Sequence, residues 1–301
     1  MTVTDLAIHA VARDCPWRSL LFVPTTAERF VAKAHTRGAD AIILDLEDSI
    51  APHEKANARI ALAGAIAQIA AQQLPICVRI NRPLELAVTD IEAAVGADTH
   101  ALMLPKIMGP EHLRLLAEVV SAREQALGLN LGHTRFIALV ETAAALPNLH
   151  DIAAATPRLI AVGLGNEDLC AELEAQPGGD SLYPFAMQVV AATRAAGISP
   201  FGVVGEFAGF TDLVGYREGL RRSRRLGFST TACIHPNQVP IINEEYGVTA
   251  AEIEHAEQLL ETFADALRDG KGAVAFRGQM IDLPVAERAR RLLQRAGRDL
   301  G

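Results

Sequence analysis

Two carboxylates at the ends of separate apolar runs are the residues of this chain best suited to chemistry. Glu141 lies near the end of the run FIALVET, and Asp168 follows the run LIAVGLG. A buried charge is costly unless it is paired or bound to a metal, and hard oxygen ligands suit Mg²⁺. The pair therefore predicts a Mg²⁺ site, although Glu141 could instead pair with Lys106 or Arg79 and Asp168 could cap a helix.

Charged side chains also follow other apolar runs. Asp45, Glu47 and Asp48 follow AIIL, Arg79 ends ICVR, and Lys106 follows ALMLP. Because strand side chains alternate, we expect residues 45 and 47 to share a face and Asp48 to begin a turn, so that the three acids do not all face one site. The acidic run could also be a salt-bridged strand end. A guanidinium such as that of Arg79 can hold a substrate carboxylate with two parallel hydrogen bonds.

The elements that would position these residues are eight short apolar runs with helical stretches between them. Most of the runs lack polar alternation, which is typical of parallel strands buried on both faces. Eight of them between residues 18 and 236 predict a (β/α)₈ TIM barrel, whose strands place catalytic residues at their carboxyl ends. The runs are SLLFVP, AIILDLED, ICVRIN, ALMLPKI, FIALVET, LIAVGLG, FGVVGEF and TTACIHP.

The chain beyond the eighth run predicts a C-terminal helical extension. We expect a catalytic barrel over residues 1–245 and an extension over 246–301 that packs on the barrel or on a neighbouring subunit. The extension contains a hairpin-like segment, GAVAFRGQMID, between two helices, and is too short to form a core of its own. Thr25 with Glu28 and Thr249 with Glu252 have the spacing of capping boxes.

Composition excludes several classes of protein. The net charge of −8 provides no basic field for nucleic acid or anionic lipid, so we expect no nucleic-acid or membrane partner. Four scattered cysteines and the absence of a signal sequence indicate a reduced, cytoplasmic protein. The arginines at 221, 222, 224 and 225 form either a solvated helix face or a contact for a phosphate-bearing ligand.

Longer motifs resemble a known family. The chain is similar to the citrate lyase β-subunit-like enzymes of the HpcH/HpaI aldolase group over residues 18 to about 290. The motifs occur in the family's order and spacing. They are RSLLFVP, GADAIILDLEDSIAPHEKANAR, VRIN, LMLPKI, ALVETAAAL, GLGNEDL, IHPNQVPIIN and GQMIDLP.

The resemblance implies a Mg²⁺-dependent carbon–carbon lyase that cleaves or forms a 3-hydroxyacyl-CoA such as malyl-CoA or citramalyl-CoA, commonly as a trimer or a dimer of trimers. By the family's motifs Glu141 and Asp168 match the metal ligands, and Arg79 matches the arginine that holds the keto-acid or enolate oxygen. Asp282 matches an acid delivered from a neighbouring subunit, although it could also be a helix N-cap. Glu47 would orient metal-bound water. The candidates for substrate binding are Arg18, Arg79, Lys55, Arg59 and Lys106.

The substrate stays open because the segment after the seventh run departs from the family's pattern. Many relatives carry an aspartate-rich turn where this chain has Glu206, Phe207 and Phe210, and Asn166 stands where relatives often have a small residue, serine or threonine. The alternatives are an aldolase acting on free 2-keto acids, a malyl-CoA-type thioesterase, and a non-catalytic metabolite-binding barrel. His235 is either a packing or cap residue or a proton shuttle.

Overall fold

The computed structural model describes residues 13–176, 180–205 and 210–298. The chain divides into two compact units, Met1–Tyr246 and Gly247–Gly301, one residue beyond the boundary expected from the sequence. Glu206 and Phe207, which we expected to line the divergent part of the mouth, lie outside the described residues. Among the described residues, every helix is too short or too polar to span a bilayer.

Eight parallel strands of the first unit form a barrel, which confirms the predicted fold. Each strand pairs with its neighbours in chain order, and β1 also pairs with β8. A parallel bridge between Phe201 and Thr230 joins the remaining edge. The strands are β1 (Ser19–Pro24), β2 (Ala41–Asp45), β3 (Ile76–Arg79), β4 (Ala101–Leu104), β5 (Arg135–Val140), β6 (Leu159–Leu164), β7 (Ser199–Phe201) and β8 (Thr231–Cys233).

Helices connect these strands. The connections also contain 3₁₀ turns at Ala34–Arg37, Pro52–Glu54, Ala143–Asn148, Asp180–Leu182 and Pro236–Gln238. The α-helices are α1 (Glu28–Val31), α2 (Lys55–Ala70), α3 (Leu84–Ala94), α4 (Pro110–Ala126), α5 (Leu149–Ala153), α6 (Asn166–Glu172), α7 (Tyr183–Ala195), α8 (Leu213–Leu226) and α9 (Val239–Glu245).

Side-chain alternation along the strands separates two apolar layers. One layer fills the barrel and includes Ala41, Ile43, Cys77, Ile137 and Leu139. The residues between them, such as Ile42, Leu44 and Val78, pack outward against the helices. In each of three strands, a charged residue lies two positions after the last apolar residue that faces inward. These charged residues are Asp45, Arg79 and Glu141. The period of two therefore directs these three charged side chains into the carboxyl-end mouth of the barrel.

Two sequence predictions about local structure are wrong. The predicted run FGVVGEF spans residues 201–207, but the seventh strand already ends at Phe201. Gly202 and Gly205 adopt φ angles of +127° and +143°, which lie outside the extended range of a β-strand. Thr25 caps no helix. Its hydroxyl donates instead to the Asp45 carbonyl oxygen at 2.8 Å, which ties the end of β1 to the end of β2.

The second unit contains α10 (Ala250–Arg268), an antiparallel hairpin of β9 (Val274–Phe276) and β10 (Gln279–Ile281), and α11 (Leu283–Arg295). The hairpin and the Thr249 capping box at the start of α10 are as predicted. The expectation that this segment has no core is wrong, because its two helices and hairpin enclose a small buried cluster. Its members are Ala256, Leu259, Ile281, Ala289 and Leu293.

Candidate active site

Glu141 lies directly after β5 and is almost completely buried, with 5% of its surface exposed. Its Oε2 accepts a hydrogen bond from the backbone N–H of Lys106 at 2.6 Å. A Cβ atom at Gly165 would lie 2.6 Å from the carboxyl carbon of Glu141, so only glycine leaves room for this carboxylate. The close approach of Glu141 to the backbone after β6 therefore explains why position 165, the last residue of the run LIAVGLG, is glycine.

Lys106 holds several of the acidic groups together. Its φ angle of +50° is left-handed, an uncommon conformation for a lysine, and this conformation accompanies the N–H contact with Glu141. The Nζ atom donates to Glu47 Oε1 at 2.8 Å and lies 3.7 Å from Asp48 Oδ1 and 3.6 Å from Asp168 Oδ1. Lys106 thus contacts the site through both its backbone and its ammonium group.

Arg79 and Asp45 form a buried bidentate ion pair. They are register partners on β3 and β2, and the guanidinium Nε and Nη2 donate to the two carboxylate oxygens at 2.7 Å each. Asp45 also accepts hydrogen bonds from the backbone and hydroxyl of Ser49. The guanidinium carbon lies 4.6 Å from the ring centroid of Phe22. The sequence analysis missed Phe22, although its inward register on β1 is a usable signal.

The prediction that the three acids of the DLED run do not share one site is wrong. Besides Asp45, Arg79 contacts Glu47 Oε2 through Nη1 at 3.1 Å and Asp48 Oδ2 through the same nitrogen at 3.2 Å. Strand alternation does not apply here because β2 ends at Asp45 and the chain then turns. The buried Glu47 Oε2 lies at ion-pair distance but receives no hydrogen bond. It therefore has acceptor capacity for a water or a ligand.

Asp168 lies in the first turn of α6 and has 43% of its side chain exposed. The only cation within ion-pair distance, among the residues that the structure describes, is Lys106. No group of three or more His, Cys, Asp or Glu side chains that could hold a metal occurs in those residues. A site made of Glu141 and Asp168 would thus supply two protein ligands and leave the others to water and substrate, as Mg²⁺ sites commonly do.

The charges of the mouth fit a divalent cation. Five carboxyl groups (Asp45, Glu47, Asp48, Glu141 and Asp168) face three cations (Arg79, Lys106 and Lys55, whose Nζ donates to the Glu47 carbonyl). If all are ionised, two negative charges are in excess, which equals the charge of one Mg²⁺ ion. The donor set, with its free carboxylate oxygens, is of the hard type that this ion prefers.

The pKa values of the acids reflect that imbalance. Burial, reinforced by the charges of Glu47 and Asp168, raises the pKa of the Glu141 carboxyl to about 7, against the lowering effect of Lys106. Burial also raises the pKa of Glu47. For Asp45 the burial effect is outweighed by Arg79 and Ser49, which hold its pKa below the usual range. Glu141 therefore lacks the positive charge that Asp45 has in Arg79, and a bound cation would supply it.

The other predicted substrate cations each have a partner within the protein. Arg18 lies before β1, at the amino end of the barrel, where it binds Asp40 at 2.9 Å. The structure therefore does not bring Arg18 to the mouth, and we withdraw it as a substrate residue. Lys55 donates to the carbonyl oxygens of Leu46 and Glu47 at 2.9 and 2.6 Å. Arg59 pairs with the buried Asp90 at 3.3 Å.

His235 caps the 3₁₀ turn Pro236–Gln238, with its Nδ1 accepting from the Asn237 N–H at 3.2 Å. Its ring stacks on Phe210, with 5.3 Å between the centroids. These contacts favour the cap interpretation over a proton shuttle. Asp282 belongs to the second unit, where it caps α11 by accepting from the Val285 N–H at 3.3 Å.

Comparison with known proteins identifies the family of the chain. Residues 18–236 match the family model described as HpcH/HpaI aldolase/citrate lyase. The chain belongs to this family. It is 32% identical over 282 residues to the citrate lyase subunit beta of Escherichia coli (strain K12), covering 93% of both chains. It is 32% identical over 296 residues to the mitochondrial citramalyl-CoA lyase of Mus musculus, covering 92% of this chain and 85% of that one.

A solved structure has the same fold with ligands bound. The CitE protein of Mycobacterium tuberculosis, in complex with magnesium, acetoacetate and coenzyme A, matches with a TM-score of 0.72 and 29% identity over 93% of this chain and 97% of that chain. The named relatives are lyases, and this one binds magnesium. The predictions of a carbon–carbon lyase and of Mg²⁺ as its cofactor are therefore confirmed.

Proposed function

We propose that this enzyme cleaves or forms a short 3-hydroxyacyl-CoA such as malyl-CoA or citramalyl-CoA. The observation that carries the proposal is that Lys106 contacts both Glu141 and Asp168, in a mouth that also holds Arg79 and whose five carboxyl groups exceed its three cations by two charges. Three of the five N–H donors of Arg79 are engaged by Asp45 and Asp48, so two remain for a substrate oxygen. The partners that such a set would bind are the hydroxyl and single carboxylate of the substrate's hydroxy-acid end, held through Mg²⁺, and an enolate that develops beside Arg79.

The residues divide the work of carbon–carbon cleavage. Glu141 and Asp168 would hold Mg²⁺, which lowers the barrier to ionising the substrate hydroxyl. Arg79 would donate its free N–H groups to the enolate oxygen of the leaving thioester. Glu47, through its unbonded Oε2, would orient a water beside the carboxylates. Asp282 would accept the hydroxyl proton during cleavage and return it to the product alkoxide during synthesis.

The CoA moiety requires cations at the rim of the mouth. We propose Lys55 and Arg59 for its phosphates and Lys106 for the acid end of the substrate. The CitE structure with coenzyme A supports a CoA ligand, and the position of Lys55 beside the Glu47 carbonyl supports its closeness to the mouth. Both Lys55 and Arg59 would exchange or share their present internal partners on binding.

We also propose a cytoplasmic homotrimer, or a hexamer of two trimers, with no nucleic-acid or membrane partner. The four unpaired cysteines support a reducing compartment, and the net charge of −8 disfavours polyanionic partners. Within that assembly the 1–245 barrel would be catalytic, and the extension at 246–301 would supply Asp282 to a neighbouring site.

A substrate screen tests the proposed activity. The purified protein is incubated with malyl-CoA, citramalyl-CoA and free 4-hydroxy-2-keto acids, with Mg²⁺ or with EDTA. We expect cleavage of at least one thioester to a keto acid and an acyl-CoA, and the loss of that activity in EDTA. Cleavage of the free acids alone would identify an aldolase instead, and release of free CoA without a keto acid would identify a thioesterase.

Mixed oligomers test the role of Asp282. Chains carrying Asp282→Ala and chains carrying Arg79→Ala are each expected to be inactive. After co-refolding, about one quarter of the sites would combine an intact barrel with an intact neighbouring tail, if chains mix at random around a ring. We therefore expect recovery of up to about a quarter of wild-type activity. No recovery in mixed oligomers verified by native mass spectrometry would contradict the shared site.

A further inference from the structure

Asn166 connects the helix that carries Asp168 to the segment that follows β7. It is the first residue of α6, two residues before Asp168. Its Nδ2 donates to the carbonyl oxygen of Val203 at 3.0 Å and to that of Gly205 at 3.3 Å. One side-chain amide therefore satisfies two backbone carbonyls from a neighbouring connection of the barrel.

The segment at 202–205 is itself firmly held. The Tyr246 hydroxyl donates to the Gly202 carbonyl oxygen at 2.8 Å, and the Val204 N–H donates to the Ser223 hydroxyl oxygen at 2.8 Å. The segment and Asn166 line a cavity of about 20 Å³, and Val203 and Val204 of the segment pack in the buried core. Hydrogen bonds from three different elements set its position, and it can serve as an anchor for α6.

Besides Asn166, the start of α6 is held by the Gly165 N–H, which donates to the Val140 carbonyl oxygen at 3.1 Å, and by the buried Leu169. The helix has seven residues, and its N-cap, Gly165, offers no side-chain hydrogen bond. Isolated helices of this length are not stable in water. Leu169 is completely buried, whereas Asp168 is partly exposed and lies 3.6 Å from Lys106, beyond hydrogen-bond distance. Asn166 therefore makes a side-chain contact in the same turn that can set the direction of the Asp168 carboxylate.

We propose that Asn166 is a positioning residue that anchors α6 to the 202–205 segment and so fixes Asp168 for Mg²⁺ binding. This inference rests on the proposed role of Asp168 as a metal ligand. Asn166 would contact neither the metal nor the substrate. Its effect passes through the backbone of the first turn of α6, and it should be measurable as metal affinity in the absence of any substrate.

The test uses Asn166→Leu, which keeps the size of the side chain and removes both donors. The Mg²⁺ dissociation constant, measured by titration calorimetry without substrate, is expected to rise about 10- to 100-fold, the range found when supporting partners of metal ligands are removed. Glu167→Gln, an exposed neighbour in the same turn, is the control and should bind Mg²⁺ as the wild type does. Tyr246→Phe removes one hydrogen bond from the far side of the anchor and should weaken Mg²⁺ binding less.

Amide hydrogen exchange checks the physical link. The Val204 amide should exchange faster in Asn166→Leu than in the wild type, because the segment is no longer tied to α6. Unchanged Mg²⁺ affinity in Asn166→Leu, while Asp168→Asn weakens binding, would overturn the inference and leave the metal site intact. If Asp168→Asn also binds Mg²⁺ normally, the proposed metal site itself is wrong. Should Asn166→Leu not fold, faster Val204 exchange with unchanged Mg²⁺ affinity in Tyr246→Phe overturns the inference.

Discussion

Replacing Glu141 with glutamine is expected to abolish Mg²⁺ binding and to reduce the lyase rate about a thousandfold or more. The loss corresponds to roughly 4 kcal/mol of transition-state stabilisation, within the several kcal/mol that a catalytic metal supplies. The amide oxygen of the glutamine can still accept the Lys106 N–H, so the fold should survive. Calorimetric titration with Mg²⁺ and initial-rate assays measure the two effects.

The matched control is Glu167→Gln, which makes the same chemical change at an exposed position close by. It should retain both Mg²⁺ binding and activity. Mg²⁺-dependent cleavage by Glu141→Gln at the wild-type rate would exclude Glu141 as a metal ligand and would direct attention to Glu47, the other buried acid of the mouth.

The raised pKa of Glu141 gives the same experiment a pH dependence. A carboxyl group whose pKa is about 7 is mainly protonated at pH 6, and it must lose that proton to bind a metal. Mg²⁺ affinity should therefore rise as the pH increases toward 7 and level off above it. Calorimetry at pH 6 in buffers of different ionisation enthalpy should detect the released proton in the wild type, and neither Mg²⁺ binding nor proton release in Glu141→Gln.

Replacing Arg79 with lysine is expected to lower kcat/KM by about 10²- to 10⁴-fold while leaving Mg²⁺ affinity within about threefold of the wild type. Lysine keeps the charge but cannot reproduce the paired contact with Asp45 together with a second contact to a substrate oxygen. Arg114→Lys, at an exposed pair with Glu111, is the control and should be neutral. If Arg79→Lys has the kcat/KM of the wild type, catalysis does not require the guanidinium to contact Asp45 and a substrate oxygen at the same time.

Arg79→Ala separates function from stability. It leaves the buried carboxylate of Asp45 without its partner, and breaking a buried ion pair in this way costs about 3 to 5 kcal/mol. Chemical unfolding should therefore show a large loss of stability in Arg79→Ala and a small one in Arg79→Lys. Equal losses in the two variants would mean that the pair matters for geometry rather than for charge.

The parts of the site that follow from local chain geometry could be predicted from the sequence. Glu141 and Arg79 extend the inward register of buried strands, so the period of two places them at the mouth. The convergence of three acids on Arg79 could not be predicted, because it depends on β2 ending at Asp45 and on the turn that follows. The partner of Arg18 could not be predicted either, since Asp40 precedes the neighbouring strand and approaches Arg18 only through the register of the β1–β2 pair.

The end of the seventh strand shows a similar limit. The apolar residues of FGVVGEF favour a strand, and the two glycines permit but do not require the left-handed angles that end it at Phe201. The side chains that hold the resulting segment, Asn166 and Tyr246, are distant in sequence. The family's motifs identified the chemistry of the mouth, whereas the structure was needed to see how its ligands are supported.

The left-handed backbone of Lys106 affects how freely this position can vary in evolution. Its N–H reaches Glu141 only through a conformation that costs a non-glycine residue about 1 kcal/mol, and its ammonium group reaches Glu47 only through a long side chain. Glycine or asparagine would satisfy the first requirement more easily and fail the second, whereas arginine could meet both only at the same backbone cost as lysine. Few amino acids meet both demands, so position 106 should accept fewer substitutions among related sequences than its partly exposed location suggests.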